Sequence, residues 1–447
     1  MARPDHASRL IAKFTHRRAT VGVVGLGYVG LPLVRAMHQA GFRVIGYDVD
    51  EKKVAALRAG KAYLKHLGRE LVKELASSGR FTATSDPRVL RECDAVCLCV
   101  PTPLGAHREP DLSFVVESSR MVAGVLKKGA LVSLESTSYP GTTREVCLPI
   151  LEGKEGGRAR RLGTDFFLAF SPEREDPGRK GFETRTIPRL VGGVDDRSGE
   201  VAEALYSAAV ETVHRVGSAE VAEAAKLLEN IYRAVNIALV NELKPVLTDM
   251  GIDIWQVIRA ASTKPFGFHP FYPGPGLGGH CIPIDPYYLS YKAREFGHST
   301  RFIELAGEIN HAMPRYVVER AAAALNDRGR ALRGANILVL GIAYKADVDD
   351  IRETPAAEII ALLAERGARV SYHDPHVPTF PTMRKYDIPL KSCPLTPRVL
   401  RAADAVVVVT AHQAIDWAMV GREARLVVDT RDVLAGRKRT RAVVVKA

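Results

Sequence analysis

The sequence predicts an α/β chain: two doubly wound parallel-sheet domains joined by a central helical domain with one long helix. Three observations carry this. A strand–glycine turn–helix–strand pattern stands near the N-terminus, the same pattern returns in the last third, and an extended helical pattern lies between them.

The elements follow in order. Ala19 to Val24 is a short β-branched run leading into Gly25-Leu-Gly27-Tyr28-Val29-Gly30. Leu31 to Ala40 has helical composition, Gly41 stops it, and Arg43 to Tyr47 is a second strand ending in Asp48. This is the βαβ unit of a Rossmann-like dinucleotide site. Ser218 reads as an N-cap, and helical composition runs from Glu220 to about Met250, with Gly251 as its stop and Pro245 as a bend. Apolar residues at 221, 225, 228, 235, 239 and 246 predict a buried stripe, and so long a helix suits a subunit interface. In the last third, Asn336 to Gly341, a helix from Thr354 to Arg366, Gly367, and Arg369 to Asp374 repeat the first scheme. Cys93 to Val100 is echoed by Ala403 to Thr410.

Composition bounds the function. At 447 residues, 46% hydrophobic and 26% charged, the chain can bury several cores. It has no apolar run of about 18 residues, so no membrane span is expected. Six cysteines without C-x-x-C or H-E-x-x-H predict neither a disulfide scaffold nor a metal site. The net charge of +12 points to acidic partners, whether nucleic acid, an anionic membrane surface or a phosphorylated small molecule. Part of it sits in basic ends, Arg3, Arg9, Lys13, Arg17 and Arg18 at one and Arg437, Lys438, Arg439, Arg441 and Lys446 at the other; these read as solvated arms. The N-terminus lacks a secretory core, so a reducing cytoplasm is expected.

Chemistry concentrates at a few places. Gly25 permits the tight turn, Gly27 lets backbone approach a pyrophosphate, and Gly30 lets helix and strand pack. Asp48 would accept the ribose hydroxyls and repel a 2′-phosphate, which favours NAD over NADP. Polar residues close three further strands: Thr102, Glu135 to Thr137, and Ser171 to Arg174, with Glu173 among them. The loop from Phe271 to Pro286 places four glycines before Cys281, so that backbone would approach a ligand. Asp285 reads as N-cap of the next helix with Pro286 at its first position, which sets Cys281 where a thiolate is favoured. Cys281 is the nucleophile candidate, His280 beside it is a base or a packing residue, and the other cysteines read as packing residues. Lys226, Asn230 and Arg233 share one helix face.

These residues carry a family resemblance. Gly25-x-Gly-Tyr-Val-Gly, Ser136-Thr with Pro140-Gly-Thr-Thr, Ser171-Pro-Glu-Arg, Ala224-Ala-Lys-Leu-x-Glu-Asn, Gly278-Gly-His-Cys-x-Pro-x-Asp and Gly341-x-Ala-Tyr-Lys-x-x-x-x-Asp-x-Arg stand in order along the chain. The chain resembles the UDP-glucose/GDP-mannose dehydrogenase family over nearly its whole length. The cysteine loop and Ser171-Pro-Glu-Arg-Glu-Asp-Pro-Gly are most similar to the branch acting on UDP-N-acetylglucosamine. Many UDP-glucose enzymes have Lys three residues after the cysteine, where this chain has Ile284.

The resemblance implies three domains, 1–213 binding NAD, 214–317 helical with the cysteine loop and a dimer interface, and 318–447 binding the UDP-sugar. It implies a four-electron oxidation of the sugar C6 alcohol to the acid, through a thiohemiacetal and a thioester on Cys281. Lys226 would stabilise the oxyanion and Asn230 hold the sugar, while Asp285, Thr137 and Glu173 position or activate water. Tyr28, Val29, Lys53, Thr102, Thr137 and Arg352 would join the glycines and Asp48 around the cofactor. Phe170, Glu173, Arg174, Phe271, Tyr272, Gly274, Gly278, Lys345 and Arg431 would line the substrate with Lys226 and Asn230. A homodimer or higher homo-oligomer is expected, with no nucleic acid, membrane or metal. UDP-glucose and UDP-N-acetylmannosamine remain alternative substrates, and a non-catalytic NAD-binding regulatory protein is the alternative of a different class.

Overall fold

Valine-rich and aromatic runs make the strands, and all-buried runs of this kind are what a sheet covered on both faces requires. The computed structural model describes residues 5–64, 69–105, 108–174, 184–279, 281–383 and 385–447. Arg3, His280 and the motif residues 175–178 lie outside them. The chain divides into two units, Met1–Glu229 with Tyr287–His298, and Asn230–Pro286 with Ser299–Ala447.

In the first unit the chain runs α1 (His6–Thr15), β1 (Thr20–Val24), α2 (Gly30–Gln39), β2 (Arg43–Tyr47), α3 (Glu51–Arg58), α4 (Arg69–Ser77) and β3 (Phe81–Thr84). It continues through β4 (Ala95–Leu98), α5 (Ser113–Val125), β5 (Ala130–Leu134), α6 (Leu148–Leu151), β6 (Phe166–Phe170), β7 (Arg189–Gly193), α7 (Asp196–Ser207) and β8 (Val213–Val216). The described strands form one sheet in the order β3-β2-β1-β4-β5-β6-β7-β8. Every pair is parallel except β6 with β7. The order reverses between β1 and β4, and such a switch point opens a ligand crevice at the carboxyl edge.

The N-terminal basic segment is not a free arm. Asp5 caps α1, whose Ala7, Leu10 and Phe14 are buried in the first unit's core. Lys13 and Lys127 both pair with the buried Asp94, at 2.8 and 2.7 Å. Charged residues on one face hid an amphipathic helix.

Then follow α8 (Ala219–Asp249), which runs from the first unit into the second, α9 (Ile254–Ala261), α10 (Asp285–Glu295) and α11 (Arg301–Asn326). The second sheet comes from β9 (Asn336–Leu340), α12 (Pro355–Glu365), β10 (Arg369–His373), α13 (Pro397–Ala402), β11 (Ala405–Val408), α14 (Trp417–Glu423), β12 (Leu426–Asp429) and β13 (Val443–Lys446). Its order is β10-β9-β11-β12-β13, parallel throughout. The two Rossmann-like sheets and the long helix are those the sequence predicts. At the C-terminal end Arg437, Lys438, Arg439 and Arg441 are exposed, but Lys446 lies in β13 and pairs with Asp432.

Helix α8 inverts the expected stripe. Ser218 caps it, its Oγ accepting the Val221 N–H at 3.3 Å, and Gly251 follows its end at φ +73°. Yet Val221, Leu228, Leu239 and Val246 are about half exposed or more, and the buried face carries Glu223, Lys226, Asn230, Asn241 and Lys244. Hydrophobic periodicity finds an apolar face, and among the described residues that face of α8 stands about half exposed.

Candidate functional site

The first unit holds the glycine turn at its switch point. Gly25 has φ +90°, and a Cβ there would meet the Cys99 carbonyl oxygen at 2.6 Å. A Cβ on Gly30 would run into the Gly25 carbonyl, whereas one on Gly27 would meet nothing within 4 Å. The turn is therefore closed behind and open in front. No side chain caps α2, whose Leu31 N–H is taken by the Gly27 carbonyl at 3.1 Å and whose Pro32 has none to offer. Asp48 is buried; its Oδ2 accepts the Leu26 N–H at 2.8 Å and its Oδ1 the Asp50 N–H at 2.9 Å. Lys53 Nζ meets Asp48 Oδ2 at 3.3 Å, so the carboxylate's charge is partly balanced. Tyr28 and Val29 pack partly on the core beneath the turn. Thr102 follows β4, on the other side of the switch point, and is buried. A dinucleotide fits this cradle.

Next along the same edge, Thr137 is half-buried after β5. Glu173 follows β6, and Lys226 Nζ donates to its carbonyl oxygen at 2.6 Å. The structure thus brings together the oxyanion lysine and the water-activating acid expected from the sequence. Arg174, expected to line the substrate, pairs with Glu229 at 2.5 Å and donates to the Pro188 carbonyl at 2.7 Å. Phe170 is a correction. Its side chain has no exposed surface and packs in an apolar core cluster, so it touches no sugar. Arg233 is exposed, unlike Lys226 and Asn230. Reading the sequence missed Arg189, which opens β7 and meets Glu135 and Glu173. The signal was a charged residue starting an otherwise apolar strand.

In the second unit, Cys281 is half-buried at the entry to α10. Its carbonyl accepts N–H bonds from Ile284 (3.1 Å) and Asp285 (2.8 Å), so the chain already turns at the cysteine. The helix begins at Asp285 itself, one residue earlier than expected, its N–H already making the helical bond to the Cys281 carbonyl. Asp285 has no exposed surface, and Asn230 donates its Nδ2 to Asp285 Oδ2 at 2.5 Å. By contrast, burial pushes the Cys93 and Cys147 thiols each up to about 12, which keeps them inert. Cys97 and Cys99 are buried as well, while Cys393 is half-buried beside an apolar cluster.

The loop glycines mostly serve packing, against the expectation of ligand approach. A Cβ on Gly278 would meet Tyr344 Cβ at 2.6 Å, and one on Gly276 would meet Pro355 at 3.1 Å. Gly279 donates to the Arg352 carbonyl at 2.8 Å. The cysteine loop is so docked on the loop after β9, which carries Lys345 at the second sheet's switch point. The Arg352 guanidinium is taken by Asp350, down to 2.7 Å. Gly274 differs: its Cβ would meet Arg431 Nη1 at 2.7 Å, and its N–H donates to Asn241 Oδ1 at 2.9 Å. Burial lowers Arg431 to about 10, with Asp429 opposing. Phe271 packs edge-on against Tyr232 at 5.5 Å, and the half-exposed Tyr272 stacks on Trp255 at 5.4 Å.

The second sheet also has its echo of Asp48. Asp374 ends β10 but is spent: its carboxylate accepts N–H groups of Ile342, Ala343, His376 and Val377 and meets His412 Nε2 at 3.0 Å. Burial opposes its charge, but the His412 and backbone bonds outweigh it and hold the carboxyl at about 2. Asp347, His376 and His412 gather ligand-type atoms within 4.8 Å of one another. His412 Nδ1 accepts the Asp347 N–H at 2.9 Å, so both of its ring nitrogens are engaged.

The UDP-glucose/GDP-mannose dehydrogenase family matches in three parts: its NAD binding domain over residues 19–210, its central domain over 220–312, and its UDP binding domain over 338–436. The chain belongs to this family. It is an NAD-dependent oxidoreductase of nucleotide sugars, and the match to the NAD binding domain includes the glycine turn. A UDP-N-acetyl-D-glucosamine 6-dehydrogenase of Pseudomonas aeruginosa is 37% identical over 88% of this chain and 90% of its own. The solved UDP-D-ManNAc dehydrogenase of Pyrococcus horikoshii is similar at TM-score 0.85 and 32% identity, over 95% of this chain and 98% of that one. A UDP-glucose dehydrogenase of Pyrobaculum islandicum follows at TM-score 0.83 and 28% identity, over 96% and 97%. Among the described residues, no helix is long and apolar enough to cross a membrane.

Proposed function

We propose that the chain oxidises the C6 alcohol of UDP-N-acetylglucosamine to the carboxylate in two two-electron steps. The Gly25–Gly30 turn and Asp48 would hold NAD, which would supply the hydride acceptor for each of the two oxidations. The observation that carries the reading is Cys281 at a helix entry beside the buried Asp285–Asn230 pair.

The chain's residues divide the work. The alcohol loses a hydride and a proton and becomes the aldehyde. The Cys281 thiolate adds to the aldehyde carbon and the new alkoxide takes a proton, giving a thiohemiacetal. Loss of a second hydride and a proton leaves a thioester on Cys281. Water, oriented by Glu173, Thr137 and Asp285, attacks that carbonyl; the C–S bond breaks, the acid is released and the thiolate returns. Lys226 stabilises the oxyanion of the tetrahedral intermediates, and Asn230 holds the sugar while fixing Asp285. Arg431 beside Gly274 and Lys345 hold the UDP portion, and Phe271 and Tyr272 border it.

UDP-N-acetylmannosamine is the second reading, supported by the likeness to the Pyrococcus horikoshii enzyme. NADH formed per sugar consumed, measured for UDP-N-acetylglucosamine, UDP-N-acetylmannosamine and UDP-glucose, separates these readings. The chain acts in the cytoplasm as a homodimer or higher homo-oligomer, a second copy covering the exposed apolar stripe of α8.

A further inference from the structure

The described strands β7 and β8 run against the rest of their sheet, and this has a chemical consequence. Strand β7 pairs with β6 as Ala169↔Gly193 and Phe170↔Gly192. Continued outward, that register sets Arg189 opposite Glu173. The first residue of a reversed strand thus arrives at the edge where β5 and β6 end, and the only way to place a side chain there from β7 is at its start.

Arg189 is buried, 4% exposed, and every face of its guanidinium is used. Nη1 meets Glu173 Oε2 at 3.3 Å, Nε donates to Ser171 Oγ at 2.8 Å, and Nη2 donates to Glu135 Oε2. The guanidinium lies over the Tyr206 ring of α7 at 4.7 Å. Tyr206 donates its hydroxyl to Glu135 Oε1 at 2.5 Å, is 2.7 Å from Ser133 Oγ, and stands 3.8 Å from Cys97 Sγ. Glu173 itself accepts the Arg174 N–H on Oε1 at 2.7 Å. Two carboxylates therefore share one cation in a water-poor site, where a charge-assisted bond is strong and directional. Glu135 has no exposed side-chain surface; its position makes it the anchor. Burial raises its carboxyl to about 7, with Arg189 and Tyr206 pulling the other way.

We propose that Arg189 is the positioning residue of the hydrolytic step: anchored by Glu135, Tyr206 and Ser171, its guanidinium holds the Glu173 carboxylate in place at the sheet edge. This rests on the reading that Glu173 orients water. It explains why an ion pair is buried where an apolar contact would be less costly. The Lys226 bond to the Glu173 carbonyl fixes the same residue from its backbone side.

A double-mutant cycle tests this by turnover of UDP-N-acetylglucosamine with NAD in wild type, Arg189→Lys, Glu173→Gln and the double variant. A residue acting through Glu173 loses its effect once Glu173 is gone, whereas a residue that merely supports the fold does not. The expected result is a fall in kcat of about 10²-fold for Arg189→Lys, within about twofold in both KM values, and less than about threefold further loss in the Glu173→Gln background. Equal factors in the two backgrounds overturn the proposal while leaving the role of Glu173 standing. Wild-type kcat in Glu173→Gln removes that role and the proposal with it. Should Arg189→Lys not fold, Glu135→Gln loosens the anchor with the guanidinium in place, and the same cycle and the same outcomes apply.

Discussion

Asn230 Nδ2 lies 2.5 Å from Oδ2 of Asp285, a carboxylate with no exposed surface. The two residues are 55 positions apart, and the bond ties the long helix to the helix that follows the cysteine. Burying an anion is costly unless donors meet it. Asn230→Ala should therefore lower stability by about 2 kcal/mol, the value of a hydrogen bond to a charged group. Urea unfolding reads this, and an unchanged midpoint would show that Asp285 does not depend on Asn230.

Asp48 is the residue expected to hold the cofactor ribose. The Leu26 and Asp50 N–H groups and Lys53 Nζ already donate to its carboxylate. Asp48→Asn should weaken NADH binding by about 10- to 100-fold, matching the loss of one or two charge-assisted bonds. Titration of NADH fluorescence measures it; wild-type affinity would place the ribose elsewhere.

Glu223 supplies a pH signature in the fold. It is fully buried on α8, with the Gly141 and Thr143 N–H groups and the Thr143 hydroxyl donating to it. Burial raises its carboxyl to about 7 against those donors. A carboxyl held above its unfolded value gives stability that is full below pH about 4.5 and lost as pH rises to about 7. The loss is roughly 3 kcal/mol from this group. The stability difference between wild type and Glu223→Gln should thus shift in favour of the variant from pH 4.5 to 7 and then level off. A pH-independent difference would contradict it.

The exposed face of α8 predicts assembly. Leu239→Glu with Leu243→Glu places charge on a stripe that is half exposed in a single chain. Light scattering after gel filtration should give a dimer or larger particle for wild type and a single-chain mass for the variant. A single-chain mass for wild type would contradict the interface.

Much of this was legible in the sequence because local chemistry dictated it. A positive φ at Gly25 and an open space before Gly27 are what the glycine turn predicts. The strand-end acids Glu135 and Glu173 fall at the edge because parallel strands all end there. What was hidden is non-local. The reversal of β7 that brings Arg189 to Glu173 leaves no periodic trace, and the exposed stripe of α8 has the same pattern as a buried one. The glycines of the cysteine loop looked like room for a ligand, but Tyr344 and Pro355 fill most of that room. Phe170 is part of a fully buried strand, in which alternation cannot tell a site-facing residue from a core one.

The central claim is that Cys281 carries the sugar between two oxidations. NADH formed per UDP-N-acetylglucosamine consumed, together with acid released, tests it most directly in wild type and in Cys281→Ala. Wild type should give about two NADH per sugar, and the variant a fall in acid formation of about 10³-fold or more. One NADH per sugar, or acid formed at the wild-type rate without the thiol, would contradict it.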